Sequence, residues 1–154
     1  MKKKRGVIAG VIFLLVFVTS LWALDAIQTQ PSTDGSFELS LIRASVRGDV
    51  LTFQVAIKNT SSQRLRYTFF FRDVYYTDGK AKKKYYALKD SKGLYIAGPA
   101  YDHNAGGSFN MWLKPNGKAL FWIKFPAPAE DVEEVDFYVP GALPFEGIKI
   151  KVKR

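Results

Sequence analysis

The chain has no cysteine and a single histidine, His103, among its 154 residues. Without cysteine there is no disulfide to staple the fold, no thiolate nucleophile and no cysteine to carry a lipid, and folding needs no oxidising compartment. One histidine supplies too few donors for a zinc site. A copper site would rest on His103 and Met111 alone, which make no signature. A hydroxyl nucleophile such as Ser108 would have to share the same histidine, and neither a nucleophile elbow nor a glycine-rich phosphate loop is present. Asp73, Asp78, Asp90 and Asp102 do not have calcium-loop spacing and read as turn residues. Glu130-Asp131 and Glu133-Glu134 form one polar run, which reads as a solvated face rather than an acid/base couple. The expectation is a chain that is not an enzyme and carries no cofactor and no metal.

Helical periodicity is also missing. From Ser36 to Arg154 no stretch repeats its apolar residues every three to four positions, and only Ala129–Glu134 could make a short helical turn. Acidic residues are few, 14 against 23 basic ones, for a net charge of +9. Without its first 26 residues the chain keeps 19 basic and 13 acidic residues, a balance of +6. The cations gather at Lys80, Lys82, Lys83 and Lys84 and at Lys149, Lys151, Lys153 and Arg154. One reading makes them solvated turns and lysines that protect an edge strand. The other makes them a surface for an anionic lipid, an anionic envelope polymer, nucleic acid without sequence specificity, or an acidic protein.

One long apolar run is present. Lys2-Lys3-Lys4-Arg5 abuts Gly6–Ala23, 18 residues without a charge. A charged head before such a run is an export signal, and the length leaves both a cleaved signal peptide and a retained anchor helix open, near the lower limit for a ~30 Å slab. Either way the rest lies on the outer side, so the expected location is exported: periplasmic, extracellular or membrane-anchored. The expected organisation is a signal or anchor over residues 1–26, a flexible spacer over 27–35 and one domain over 36–154.

That domain reads as short strands divided by turns. Leu51, Phe53, Val55 and Ile57 alternate with polar residues, Arg47-Gly48-Asp49 and Asn59–Ser62 bound that strand, and Asp78-Gly79 is a hairpin signal. Tyr67–Tyr76, Lys84–Lys89, Ser108–Leu113, Ala119–Phe125, Val135–Val139 and Ile148–Val152 follow as strands, with Gly98–Gly107 as an irregular loop and Lys114–Gly117 as a tight turn. This spacing predicts an all-β, immunoglobulin-like antiparallel β-sandwich of about eight strands, with a small closed barrel as the alternative.

Three segments then resemble a known family: KYYALKDSKG (84–93), LKPNGK (113–118) and LFWIKFPAPAEDVEEVDFYVPGALPFEGIKI (120–150). They are similar to an immunoglobulin-like domain of unknown function from exported bacterial proteins, sometimes placed before a peptidoglycan-binding domain of the outer-membrane-protein-A type. The resemblance implies a fold and a compartment and no catalytic residue. The second domain is absent from this sequence, so a cell-wall function does not come with it.

Aromatic residues are the one excess, 12 Phe, 8 Tyr and 3 Trp. In Tyr67–Tyr76 both faces carry them, with Tyr67, Phe69, Phe71 and Tyr75 on one and Phe70 and Tyr76 on the other. A central strand buried on both faces explains this, and so does an exposed aromatic patch. The candidate interaction surface is therefore Tyr67, Phe70, Tyr76, Trp112 and Trp122 with Lys82, Lys83 and Lys84. Its expected partner is an envelope protein or an anionic polymer, with membrane contact through the N-terminal segment if that is retained.

Overall fold

A computed structural model describes residues 25–80, 83–100 and 107–153. The strands are β1 (Gln28–Pro31), β2 (Phe37–Arg47), β3 (Val50–Asn59), β4 (Leu65–Phe70), β5 (Tyr75–Asp78), β6 (Lys84–Tyr86), β7 (Ala97–Gly98), β8 (Ser108–Leu113), β9 (Lys118–Pro126), β10 (Glu134–Tyr138), β11 (Phe145–Lys149) and β12 (Lys151–Lys153). They form three open sheets. The largest has six strands in the order β1-β2-β3-β9-β7, with β12 also paired to β2; the others are β11-β10-β5-β6 and β4-β8. The expectation of about eight strands in two purely antiparallel immunoglobulin-like sheets is thereby corrected, and so is the closed barrel, because every sheet is open and β12 runs parallel to β2.

The leading signal or anchor helix belongs to residues 1–26, of which 1–24 lie outside the described residues. Asp25 and Ala26 are not helical, and among the described residues the only helical element is a 3-10 turn at Phe71–Asp73. No described helix is long and apolar enough to cross a membrane. The spacer expected over 27–35 also differs. Gln28–Pro31 pairs with Leu41–Glu38 as β1, and Asp34 closes the next turn by accepting hydrogen bonds from the Ser36 N–H (2.9 Å) and the hydroxyls of Ser36 (2.7 Å) and Ser32 (2.8 Å). The short polar run simply had no apolar alternation to mark it as an edge strand.

Two layers enclose the core. Phe53 of β3 stacks on Phe137 of β10 with ring centroids 4.0 Å apart, and Phe69 of β4 meets Phe121 of β9 at 5.2 Å. The six-stranded sheet thus packs against the other two. Interdigitated rings of this kind dominate the burial of a small all-β domain.

The aromatic excess of Tyr67–Tyr76 is resolved by a change of phase. Expected as one strand, the segment is two in different sheets, separated by the 3-10 turn. Tyr67 and Phe69 face inward before the turn, Phe71 at its first position, and Val74 and Tyr76 after it. The inward positions switch from odd to even because the turn advances the chain by three residues where a strand would advance by two. A second polar device, Asn59, holds the far end together. Fully buried, its amide nitrogen donates to the carbonyls of Gln63 (2.8 Å), Leu113 (3.1 Å) and Lys114 (3.1 Å), and its Oδ1 accepts from Ser61 N–H (2.9 Å). It ties the β3–β4 loop to the β8–β9 turn.

Candidate functional site

A β-bulge creates the most distinctive surface. In β2 the buried residues run Phe37, Leu39, Leu41 and then Ala44 and Val46. The register with β3 shifts between Leu41, opposite Val55, and Arg43, opposite Gln54, so Ile42 is the extra residue. One inserted residue exchanges the two faces of a strand. In the original phase Arg43, Ser45 and Arg47 would point into the core; after the bulge they stand on the outer face.

Three rows then cross the sheet. Arg43, Gln54 and Trp122 are in register, as are Ser45, Thr52 and Lys124, and Arg47, Val50 and Pro126. Together they line a trough made of two overlapping clefts. One, of about 300 Å³, is lined by Arg43, Thr52, Gln54, Trp122 and Lys124; the other, of about 360 Å³, by Arg43, Ser45, Arg47, Val50, Thr52 and Lys124. β12 pairs with the same stretch of β2, its register placing Lys151 opposite Ser45 and Lys153 opposite Arg47.

Trp122 is fixed by what lies beneath it. A Cβ at position 98 would sit 2.9 Å from its Cζ2 and 3.0 Å from its Cε2 and Nε1, so only glycine lets the indole settle against β7. The ammonium of Lys124 lies 5.9 Å from the ring centre, at the edge of cation–π range. No described carboxylate pairs with Arg43, Arg47 or Lys124. The ion pairs among the described residues are Lys58–Glu38 (3.1 Å), Arg72–Asp73 (3.8 Å) and Lys80–Asp131 (3.5 Å). Chemically the trough offers fixed positive charge, hydroxyl and amide groups, and one aromatic surface. It suits the retention of an anion-bearing chain.

The other clefts have a different character. One of about 500 Å³ lies between the β2–β3 turn and residues 127–130; Val46, Ala127, Pro128, Val132 and Ile150 line it with Asp49 and Glu130. Its carboxylates disfavour anions. Among the described residues no group of three or more His, Cys, Asp or Glu could hold a metal. Asp90 serves its own turn, accepting from the N–H groups of Lys92 and Leu94 at 2.9 Å each.

The residues singled out from the sequence fall in four places. Tyr67 and Tyr76 are core residues, 6% and 0% exposed, and leave the candidate surface; the phase switch after Phe71 turns both inward. The Tyr67 hydroxyl donates to the Pro140 carbonyl and that of Tyr76 to the Pro126 carbonyl at 2.8 Å, and burial pushes both phenols well above their usual pKa. Trp122 lies in the trough. Trp112 and the half-buried Phe70 stand on the outward face of β4 and β8, and exposed Lys83 and Lys84 lie over Tyr85 (5.0 Å) and Tyr75 (4.2 Å). Lys82 and His103 lie outside the described residues. The expected aromatic and lysine surface is therefore not one patch. Sequence reasoning missed Arg43, Arg47 and Lys124; the signal that could have found them is the parity break from Leu41 to Ala44, with Trp122 and Lys124 on one face of β9.

No family model matches the chain, and no curated protein matches it.

Proposed function

We propose that the protein is an exported, non-enzymatic binding domain that holds an anionic polymer of the cell envelope along the trough of the six-stranded sheet. The observation that carries this reading is the alignment of Arg43, Arg47 and Lys124, none paired with a described carboxylate, along two overlapping clefts, one of which is also lined by Trp122. Arg43 and Arg47 stand about 13 Å apart along β2, a span that matches several repeats of a polyanion rather than one small ion. Guanidinium groups grip phosphate or carboxylate in a planar fork, while Lys124 acts as a point charge. Gln54, Thr52 and Ser45 supply hydrogen bonds between the charges, and Trp122 offers a ring on which a sugar can rest. The exported location rests on Lys2–Arg5 and the apolar run behind them.

The test is binding of long-chain polyphosphate, followed by calorimetry across a salt series. Three neutralised cations give a log–log salt slope of about −2 to −3, so a tenfold rise in salt weakens binding roughly 100-fold or more. Arg43→Ala with Lys124→Ala brings the slope to about −1 and leaves the fold intact, since both side chains are outside the core. Binding that ignores salt, or a double variant that binds like the parent, overturns the proposal.

A further inference from the structure

A second surface stands apart from the trough, and its argument is independent of it. On β4 the side chains of Arg66 and Thr68 are exposed and Phe70 half-buried, while Tyr67 and Phe69 are buried. On β8 the partners across the ladder are Trp112 opposite Arg66 and Asn110 opposite Thr68. Trp112 is 53% exposed, an unusual position for an indole on a small domain. The guanidinium of Arg64 lies 4.9 Å from its ring centre and that of Arg66 5.7 Å. Arg66 is held there, because its Nε donates to Asn110 Oδ1 at 3.1 Å, which also accepts from the Thr68 hydroxyl at 3.1 Å.

The other end of the face repeats the pairing. Arg72 lies 4.6 Å above the Phe70 ring. Its only described ion pair, with Asp73 at 3.8 Å, is between two exposed side chains and holds little energy. Arg64 and Arg66 have no described carboxylate partner. Trp112 with two arginines and Phe70 with one thus stand about 13 Å apart along the strands, with the Thr68–Asn110 row between them. The clefts lined by Trp122, by Ala127 and by Val132 open elsewhere. A face from which one indole projects among cations fits an extended plane better than a molecule that must be enclosed.

We propose that the outward face of β4 and β8, with Trp112 between Arg64 and Arg66 and Phe70 beside Arg72, rests on an anionic phospholipid bilayer. Indole prefers the level of the headgroups, where its ring is half in hydrocarbon and its N–H remains wet. Arginine supplies the charge complement, since its fork matches a lipid phosphate and its stem lies along apolar surface.

The experiment follows Trp112 itself, because the apolar N-terminal run can bring the whole chain to a vesicle without any contact from this face. A full-length chain carrying Trp22→Phe and Trp122→Phe leaves Trp112 as the one indole. With vesicles containing phosphatidylglycerol and brominated lipid, its emission shifts to the blue and is quenched; with phosphatidylcholine vesicles neither occurs. Arg64→Ala with Arg66→Ala in that background lowers the ratio of docked to undocked face about thirtyfold, as expected for two basic groups lost from an anionic surface. If Trp122→Phe does not fold, the difference between the parent and Trp112→Phe spectra reads the same residue. No quenching by anionic vesicles, equal quenching by zwitterionic ones, or a blue shift with soluble polyphosphate overturns the proposal.

Discussion

The two faces of the same strands use the same aromatic residue types in opposite ways. Inside, ring meets ring: Phe53 lies against Phe125 and Phe137, and Phe69 against Phe71, Phe109 and Phe121, all buried and away from charge. Outside, ring meets cation: Trp112 with Arg64 and Arg66, Phe70 with Arg72, Tyr75 with Lys84 and Trp122 with Lys124. The difference teaches that an aromatic residue here is packed in the core or set beside a cation at the surface according to strand phase. Two local irregularities shift that phase within a segment: the 3-10 turn at Phe71–Asp73 turns Tyr75 outward and Tyr76 inward, and the bulge at Ile42 turns Arg43 and Arg47 outward.

The comparison breaks most visibly through stability. Phe53 is fully buried between Phe125, Phe137 and Tyr76, so Phe53→Ala loses transfer energy and leaves a cavity. We expect a loss of about 3–5 kcal/mol, with a lower midpoint in urea. Trp112→Ala removes a larger ring from the outer face and costs within about 1 kcal/mol in the same assay, because a half-exposed ring gives up little burial. Equal losses would mean that the outer ring is part of the core.

Strand phase is also where sequence reading succeeds and stops. The alternation of Leu51, Phe53, Val55 and Ile57 is unbroken, and β3 is the strand read most directly from it. Lys114–Gly117 makes the tight turn its residues demand, with Asn116 at φ 58° and the Gly117 N–H on the Lys114 carbonyl at 2.8 Å. In β2 the apolar set changes parity within the strand, and a period-two pattern cannot say which half is displaced. In Tyr67–Tyr76 the residues are apolar at both parities, so no alternation remains to reveal the 3-10 turn. The outward arginines of the trough, Arg43 and Arg47, depend on such a shift, and lysine runs such as Lys82–Lys84 draw attention by composition alone. Sheet membership is also out of reach. Nothing local in Leu65–Asp78 says that its two strands join different sheets, because that depends on distant partners, β8 for one and β10 for the other.

A smaller effect separates buried from exposed tyrosines. Tyr67 and Tyr76 keep their protons in the folded state well above the ordinary value of 10.0, because burial disfavours the phenolate. The unfolded chain releases those protons near the ordinary value and so binds fewer protons than the native state. Stability therefore holds below the unfolded pKa and falls as pH rises above it, by about 1.4 kcal/mol per pH unit for each of the two. Urea midpoints measured on either side of about pH 10 should show this fall. Tyr67→Phe with Tyr76→Phe flattens it at some cost in stability at neutral pH, since the carbonyls of Pro140 and Pro126 lose a donor. A slope insensitive to the buried pair would sink the assignment.

The smallest effect lies in the turn between β1 and β2, where neither face of a sheet is involved. Asp34 is fully exposed, yet the Ser36 N–H, the Ser36 hydroxyl and the Ser32 hydroxyl all donate to its Oδ1, with the Ser36 N–H lowering its pKa most, and together they hold the carboxyl at about 2 against an ordinary 3.8. A carboxyl depressed in the folded state stabilises above its unfolded pKa and loses that contribution as pH falls through its folded one. The native protein is therefore more stable than Asp34→Ala at neutral pH, and the gap closes between about pH 4 and pH 2. Water competes for every one of these hydrogen bonds, so the gap is expected to be far below that of Phe53→Ala. Thermal midpoints of the two proteins across that range are the measurement. A gap that persists below the folded pKa would assign the effect to the shape of the turn rather than to the charge on Asp34.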